Sequence, residues 1–225
     1  MKKELAYLLG YFYADGYLSN KKHKYPILDI IKSDSMTILD CLNKLNMKYT
    51  VSYRFRKNSK NEQACIRISA KNSDIDLFRN ILSDKIEMNN IKNYIAEEDY
   101  PYFLRGFFDG DGCINLLVRS VRIYFYGSKN QNWLFLLNIL DSLDIGYNYT
   151  INIRKGGKHQ SSFICVSRKY DCVKLFEYLY PNFTYDFGLF RKYEKLLLGK
   201  NSIKRASRNI KAIKENTFLI KYYDK

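Results

Sequence analysis

The spacing of apolar and polar residues changes several times along the first hundred positions, and each change predicts a new helix or strand. Continuous apolar stretches and i, i+3, i+4 patterns indicate helices, and alternation indicates strands. The predicted elements are, in order, a helix over residues 4–15, strands near 16–20 and 25–32, a helix over 35–45, strands near 51–56 and 64–69, and a helix over 74–82. The helix over 35–45 is expected to take Ser33 or Asp34 as its N-cap.

The same order of elements recurs in the second part of the chain. Three pairs of similar segments, all separated by 98 residues, are 42–47 with 140–145, 66–71 with 164–169, and 77–78 with 175–176. A constant offset over such a length indicates an internal duplication. The predicted elements of the repeat are strands near 119–126, 150–154 and 162–167, a helix near 132–143, and a hairpin turn over 155–158.

The duplication predicts an α+β fold made of two pseudo-symmetric αββαββα halves with antiparallel, saddle-shaped sheets. We expect a first half over residues 1–95, a second half over 96–199, and a basic C-terminal segment over 200–225. The polar stretch 83–101 links the halves and is expected to be partly helical, with Pro101 starting a helix. The basic segment is either a solvated helix or an added arm.

Two short motifs, residues 8–16 (LLGYFYADG) and 104–112 (LRGFFDGDG), lie 96 residues apart and share one pattern of residues. Each carries two small residues four positions apart, Gly10 with Ala14 and Gly106 with Gly110, and each ends in aspartate and glycine. Small residues at i and i+4 form a flat strip on one helix face, which lets two helices approach closely. Parallel packing of these helices would bring their terminal aspartates together.

Asp15 and Asp111 are the aspartates in question, and their meeting is electrostatically unfavourable. The ends of both helices add partial negative charge to the two carboxylates. Such a pair shares a proton or binds a cation, and hard oxygen ligands favour Mg²⁺. A metal held by carboxylates beside a phosphodiester is suited to hydrolysing nucleic acid.

Both motifs resemble the one that names the LAGLIDADG homing endonucleases, here of the single-chain type. Because the sequence between the motifs also repeats, the resemblance covers nearly the whole chain. It implies motif helices packed at the interface of the halves and Asp15 and Asp111 as metal-binding catalytic acids. Carbonyls of Ala14 and Gly110 are further candidate ligands. The implied activity is Mg²⁺-dependent double-strand cleavage of a long DNA site by a monomer, with Mn²⁺ substituting for Mg²⁺ and Ca²⁺ binding without cleavage.

The resemblance also implies basic residues around the attacking water. The candidates are Lys32, Lys129, Lys92 and Lys192, with Lys85 and Arg191 as competitors for the last two places. Asp109 belongs to the second motif but lies two residues before its terminal acid, so we expect its side chain to face away from the acid pair.

The charge balance of the chain points to a polyanionic partner. Lysine and arginine exceed the acidic residues by 38 − 23 = 15, which favours nucleic acid or an anionic membrane surface. No run approaches the ~18 apolar residues of a spanning helix, and we expect no membrane partner. Double-stranded DNA is expected along the strands and hairpin loops, at Arg54, Arg56, Lys57, Arg67, Arg119, Arg122, Tyr124, Tyr126, Arg154, Lys155 and Lys158.

Cysteine and histidine usage narrows the class of protein. Five cysteines without a C-x-x-C pair indicate free thiols in a reducing compartment. The two histidines, His23 and His159, lie in predicted loops, which disfavours the classes of nuclease that need a catalytic histidine. We expect no signal peptide at the N-terminus and therefore an intracellular location. Abundant Tyr, Asn, Lys and Ile suggest an AT-rich genome, as in organelles, phages or low-GC bacteria.

Two other functions remain open on the same scaffold. The first is an RNA maturase whose partner is its host intron RNA, and the second is a DNA-binding transcription regulator. Both motif acids are present, which favours the nuclease over the regulator. A protein-splicing element is not expected, because the splice-junction residues of such elements are missing at Met1 and at Lys225.

Overall fold

A computed structural model describes residues 1–20, 23–55, 61–85, 87–117, 120–153 and 160–205. The predicted hairpin turn over 155–158 lies outside these residues, as do most positions of the basic C-terminal segment. Among the helices within the described ranges, none combines the length and the apolar character that crossing a membrane requires.

Each half contains the predicted order of helices and strands. The elements of the first half are α1 (Lys3–Asp15), β1 (Gly16–Leu18), β2 (Pro26–Ile31), α2 (Lys32–Lys44), β3 (Tyr49–Phe55), β4 (Glu62–Ile68) and α3 (Ile75–Ser83). Those of the second half are α4 (Tyr100–Asp111), β5 (Gly112–Leu117), β6 (Ser120–Ser128), α5 (Leu134–Ser142), β7 (Asn148–Ile153), β8 (Gln160–Val166), α6 (Lys169–Leu179) and α7 (Phe190–Arg205). The α+β prediction with two pseudo-symmetric halves is confirmed.

Each half has one four-stranded antiparallel sheet, the first sheet in the order β1-β2-β4-β3 and the second sheet in the order β5-β6-β8-β7. In the first sheet Leu28 and Ile66 are fully buried against the helices, and the neighbouring Asp29 and Arg67 point away from them. We call the side that points away from the helices the open face of each sheet. Apolar and polar positions alternate because only one side of each sheet is covered.

The motif helices α1 and α4 pack in parallel with their backbones in contact. A Cβ atom added at Gly10 would overlap the backbone of α4, and one added at Gly106 would overlap the backbone of α1. Nearer the C-terminal ends, Gly110 faces the methyl group of Ala14. These contacts follow the same order along both helices, so the small residues work as predicted and the two C-terminal ends meet.

One sequence prediction about a helix boundary is wrong. Helix α2 begins at Lys32 and follows Ile31 directly, so neither Ser33 nor Asp34 is its N-cap. The carboxylate of Asp34 instead pairs with Arg191, which removes it from the backbone N–H groups of the first turn.

Helix α7 runs through the predicted boundary between residues 199 and 200. It continues there because its side chains still have partners. Leu196 is buried, and the ammonium of Lys200 lies 3.0 Å from the ring centroid of Phe183. The segment between the halves is partly helical, as predicted, with short 3-10 helices at Met88–Asn93 and Glu97–Asp99.

The crossing of α1 and α4 predicts a reversal of normal helix propensity. Gly→Ala in a helix interior ordinarily stabilises a protein by up to ~1 kcal/mol. At Gly10 or Gly106 the added methyl meets the partner backbone, and we expect a loss of about 3 kcal/mol, as for severe overpacking. Urea unfolding of Gly10→Ala and Gly106→Ala measures this loss.

Gly146→Ala is the matched control for these variants. A Cβ atom there meets only the ends of the Arg168 and Asp171 side chains, at 3.0 and 3.1 Å, and these can shift. We expect its stability to stay within about 1 kcal/mol of the wild type. Wild-type stability in Gly10→Ala would contradict the close backbone contact.

Candidate functional site

The two motif acids lie at the crossing of α1 and α4. Asp15 is the last residue of α1 and Asp111 the last of α4, and a Cβ atom at Gly110 would lie 3.2 Å from Asp15 Oδ2. Within the described residues neither carboxylate takes part in a hydrogen bond or an ion pair. The structure therefore brings together two partnerless acids, as the sequence predicted for their positions.

The charged state of both acids is disfavoured. Surrounding protein and then the neighbouring charge of Asp111 raise the pKa of Asp15 to about 6, although its side chain still reaches solvent. Loss of solvent also raises the pKa of Asp111, and Lys85 and Lys192 oppose that rise. Two carboxylates in this state favour a nearby cation.

One lysine from each half closes the end of one motif helix. Lys85 Nζ donates hydrogen bonds to the carbonyls of Ala14 at 2.6 Å and Gly16 at 2.9 Å. Lys192 Nζ donates to carbonyls at the end of α4, those of Phe108, Asp109 and Gly112, at 2.5, 2.7 and 2.8 Å. Each ammonium thus neutralises a helix C-terminus beside the acids.

Burial makes these lysines unusual. Desolvation lowers the pKa of Lys192 to about 8, and the charge of Asp109 limits the fall. Desolvation also lowers the pKa of Lys85, against the opposing effect of the two motif acids. Both ammonium groups therefore interact electrostatically with the acid pair as well as with the helix ends.

Three of the predicted basic residues have no contact with the motif acids within the described residues. Lys92 is exposed in a 3-10 helix. Lys85, its competitor, occupies the place at the end of α1 and lies two residues after the end of α3. Lys32 pairs with Glu62 at 2.7 Å and lies over the ring of Tyr53, on the side of the first sheet that faces the helices.

Lys129 is exposed in the turn after β6, and the structure shows no contact between it and the acids within the described residues. Its proposed role beside the attacking water is therefore not supported by its position.

The two halves surround the acids with different groups. On one side Arg191 binds both oxygens of Asp34, at 3.2 and 2.6 Å, and joins α7 to α2. On the other side Gln131 Nε2 donates to Tyr13 Oη at 2.7 Å and to the carbonyl of Lys85 at 3.0 Å. From the sequence, Arg191 was expected only as a competitor for the place of Lys192, Asp34 only as an N-cap, and Tyr13 and Gln131 were not predicted at the site.

The internal repeat contains a pattern from which the place of Gln131 in the site could have been predicted. Asp34 and Gln131 stand 131 − 34 = 97 residues apart, the spacing that also relates Leu28 to Phe125, the residues paired with Gly16 and Gly112. Aligning the two halves at that offset would have placed Gln131 in the site. The exchange of a carboxylate for an amide shows that the two sides of the site have diverged.

Asp109 faces away from the acid pair, as predicted, and is fully buried. Its Oδ2 accepts hydrogen bonds from Tyr7 Oη at 2.9 Å and from the backbone N–H of Leu189 at 2.7 Å. Burial raises the pKa of Asp109 to about 6, and Lys192 and Arg105 limit the rise. The residue joins α1, α4 and the start of α7, and so has a structural position.

The residues at the helix ends fit a divalent metal ion. Mg²⁺ binds through one or two protein carboxylates and takes its other ligands from water and phosphate oxygens. Asp15 and Asp111 supply two free carboxylates, and the described residues offer no cluster of three or more acidic, cysteine or histidine side chains. The carbonyl of Ala14 is a weaker candidate ligand than that of Gly110, because it already accepts a hydrogen bond from Lys85.

The described candidates for DNA contact all lie on the open faces. Arg54 and Arg67 are exposed on the first sheet, where Arg54 pairs with Asp29 at 2.9 Å. On the second sheet Arg122, Tyr124 and Tyr126 alternate with buried apolar residues of β6. The remaining candidates lie outside the described residues, namely Arg56, Lys57, Arg119, Arg154, Lys155 and Lys158.

Comparison with curated proteins finds relatives that are much longer than this chain. A DNA polymerase of Thermococcus kodakarensis is 31% identical over 125 residues, which cover 55% of this chain and 7% of the relative. A DNA polymerase of Methanocaldococcus jannaschii is 25% identical over 186 residues, covering 74% and 11%. The chain therefore spans about a tenth or less of the length of these relatives.

Solved structures share the fold at low sequence identity. The full-length DUF199/WhiA from Thermatoga maritima has a TM-score of 0.59 at 14% identity, with 97% of this chain and 65% of that chain covered. The homing endonuclease I-GzeII in complex with its DNA target has a TM-score of 0.54 at 14% identity, covering 90% and 91%. I-SmaMI, bound to uncleaved DNA target with calcium ions, gives 0.50 at 14% identity, covering 91% and 97%.

A family model described as a LAGLIDADG-like domain matches residues 98–211, just over half of the chain. This match contains the second motif helix and the sheet that follows it. The first half repeats the same order of elements and packs its motif helix against the second. The chain therefore belongs to the LAGLIDADG family, with both halves in one polypeptide.

Proposed function

We propose that this protein is a site-specific endonuclease that hydrolyses both strands of a long, asymmetric DNA duplex with a divalent metal, Mg²⁺ in the cell. The observation that carries the proposal is the meeting of Asp15 and Asp111, two carboxylates without partners among the described residues, held at the ends of packed helices beside the buried Lys192 and the partly buried Lys85. Membership of the LAGLIDADG family and the likeness to I-GzeII, which binds a DNA target, support it.

The chain's own residues would hold the reacting groups. Asp15 and Asp111 would bind metal from the C-terminal ends of the two motif helices, with the carbonyl of Gly110 as a further ligand. The bound metal would supply charge stabilisation for the scissile phosphate and a lowered pKa for the attacking water. Lys85 and Lys192 hold the helix ends in place and offset the negative charge there, so the acids stay ionised when DNA phosphates approach.

The open faces of the two sheets would bind the duplex on either side of the acids. A twisted antiparallel sheet fits into the major groove, where side chains reach base edges. Arg67 and Arg122, one from each half, are exposed cations on these faces. One chain supplies both halves, so we expect a monomer to occupy the whole target.

Replacing either motif acid is expected to abolish cleavage and leave DNA binding intact. Loss of a residue behind a metal ligand typically costs 10–100-fold in affinity or activity, so loss of a ligand should lower the cleavage rate at least about 100-fold. The measurement compares Asp15→Asn and Asp111→Asn with wild type on duplex selected from a randomised library, using Mg²⁺ for cleavage and Ca²⁺ for gel shifts.

Asp40→Asn is the matched control, because Asp40 is an exposed carboxylate on α2. It should cleave at the wild-type rate. Wild-type cleavage by Asp15→Asn would overturn the assignment of the acids. A folded wild type that binds structured intron RNA and cleaves no duplex would instead establish the maturase function.

The raised pKa of Asp15 predicts a stability that depends on pH when metal is absent. Its pKa of about 6 in the folded protein exceeds the usual 3.8, so the folded state binds the proton more tightly than the unfolded state does. The resulting stabilisation is present below pH 4 and is lost as pH rises through 6. The full shift corresponds to ~3 kcal/mol, which solvent screening at this accessible carboxylate reduces to about 1 kcal/mol.

Asp15→Asn should therefore be about 1 kcal/mol more stable than wild type at pH 7.5 in EDTA, and equally stable at pH 4. Urea unfolding at both pH values tests this. Added Ca²⁺ should stabilise wild type more than the variant, because a ligand stabilises the state that binds it. Equal stability at pH 7.5 in EDTA would show that the acid is not destabilised in the fold.

A further inference from the structure

The open faces of the two sheets differ in chemistry at equivalent positions. The pair Asp29 and Cys65, which are opposite each other on β2 and β4, corresponds to the pair Tyr126 and Phe163 on β6 and β8. The correspondence follows from the register, because Gly16 pairs with Leu28 in the first sheet as Gly112 pairs with Phe125 in the second.

The open face of the first sheet is built for hydrogen bonding. Asp29 accepts a hydrogen bond from Tyr17 Oη at 3.1 Å and pairs with Arg54 at 2.9 Å. Arg67 is exposed, and its guanidinium carbon lies 5.8 Å from the ring centroid of Tyr25. Charged groups and polar side chains therefore occupy the middle of this face.

The middle of the second open face is an aromatic cluster formed by Tyr124, Tyr126 and Phe163. The ring centroids of the two tyrosines are 5.9 Å apart, and each lies within 5.7 Å of the ring of Phe163. Tyr126 is 37% exposed although it lies in an inner strand of the sheet. We call these three side chains the aromatic cluster.

Charged and polar residues of the first face are also replaced by small or neutral ones around the cluster. Arg67 and Cys165 are equivalent, since they pair with Ile27 and Tyr124 respectively. Arg54 corresponds to Asn152 by the same register, because their partners Gln63 and Ser161 are equivalent. Arg122 remains as the exposed cation of β6. The change is thus spread over three strands.

In the major groove, the group that an aromatic cluster contacts most favourably is the C5-methyl group of thymine. Base edges in this groove present nitrogen and oxygen donors and acceptors, apart from the C5-methyl group of thymine. Covering a donor or acceptor with a ring leaves that group without a hydrogen bond, which is unfavourable. Covering a methyl group removes apolar surface from water. The faces of the tyrosine rings are turned to each other, so the cluster is poorly arranged for stacking separated bases.

We propose that the second sheet recognises a thymine-rich half-site through contacts between the aromatic cluster and thymine methyl groups, whereas the first sheet recognises its half-site through hydrogen bonds. The inference rests on the proposed function, since it names what one half of the protein reads in the DNA target. It makes Tyr126 and Phe163 specificity-determining residues.

Removal of single thymine methyl groups tests the proposal. Duplexes enriched by binding from a randomised library in Ca²⁺ are remade with deoxyuridine at one thymine position at a time, which leaves the hydrogen-bonding groups of the base unchanged. We expect Kd to rise about fourfold at each contacted position, the equivalent of one apolar carbon returned to water. These positions should lie in one half-site and be absent from the other.

Matched variants assign the half-sites to the sheets. Phe163→Cys introduces the residue found at the equivalent position of the first sheet, and it should bind thymine and deoxyuridine duplexes equally. Cys65→Ser is the control at that position and should keep the wild-type deoxyuridine effect in the half-site bound by the second sheet. Arg67→Gln should change base preference in the half-site that deoxyuridine does not affect. Tyr126→Ser, at a more exposed position, repeats the test should Phe163→Cys not fold.

The outcomes separate this inference from the proposed function. Enrichment of one long duplex combined with no deoxyuridine effect, or with equal effects in both half-sites, overturns the inference and leaves the nuclease in place. A deoxyuridine effect that persists in both Phe163→Cys and Tyr126→Ser also overturns it. Failure to enrich any duplex overturns the proposed function and the inference together.

Discussion

The contact between the backbones of α1 and α4 is the constraint on which the rest of the molecule depends. Gly10 and Gly106 place no side chain between the helices at their positions, so the two backbones meet there and the C-terminal ends of the helices come together. Asp15 and Asp111 are thereby brought together from positions 96 residues apart. Any larger separation would also part the two sheets, because each sheet begins at the glycine that follows its motif helix.

The electrostatics of the helix ends follow from this contact. Carbonyls at the ends of both helices and two carboxylates converge in a place where solvent is limited. Lys85 and Lys192 neutralise the partial negative charge of these carbonyl groups, because their ammonium groups donate hydrogen bonds to the backbone oxygens. The acids are left without partners among the described residues, which is the condition under which a cation gains most from binding there.

The sequence predicted the elements, the duplication and the acid pair because each depends on local information. Apolar periodicity sets the helices and strands, and small residues at Gly10 and Gly106 set the helix contact. The boundaries of α2 were predicted wrongly because Asp34 is engaged by Arg191, 157 residues away. The placement of Lys85 beside the acids, in preference to Lys92, likewise depends on where the chain turns after α3, and no spacing in the sequence encodes that turn.

A second set of connections across the two halves lies in the segment before and at the start of α7. Asp186 pairs with Lys3 at 2.8 Å, the carbonyl of Gly188 accepts from Thr37, and Arg191 pairs with Asp34. A hybrid protein built by joining one half of this chain to half of a relative would therefore inherit mismatched partners at these sites. Recombination between family members should succeed best where residues 185–191 are exchanged together with α2 and the first turn of α1.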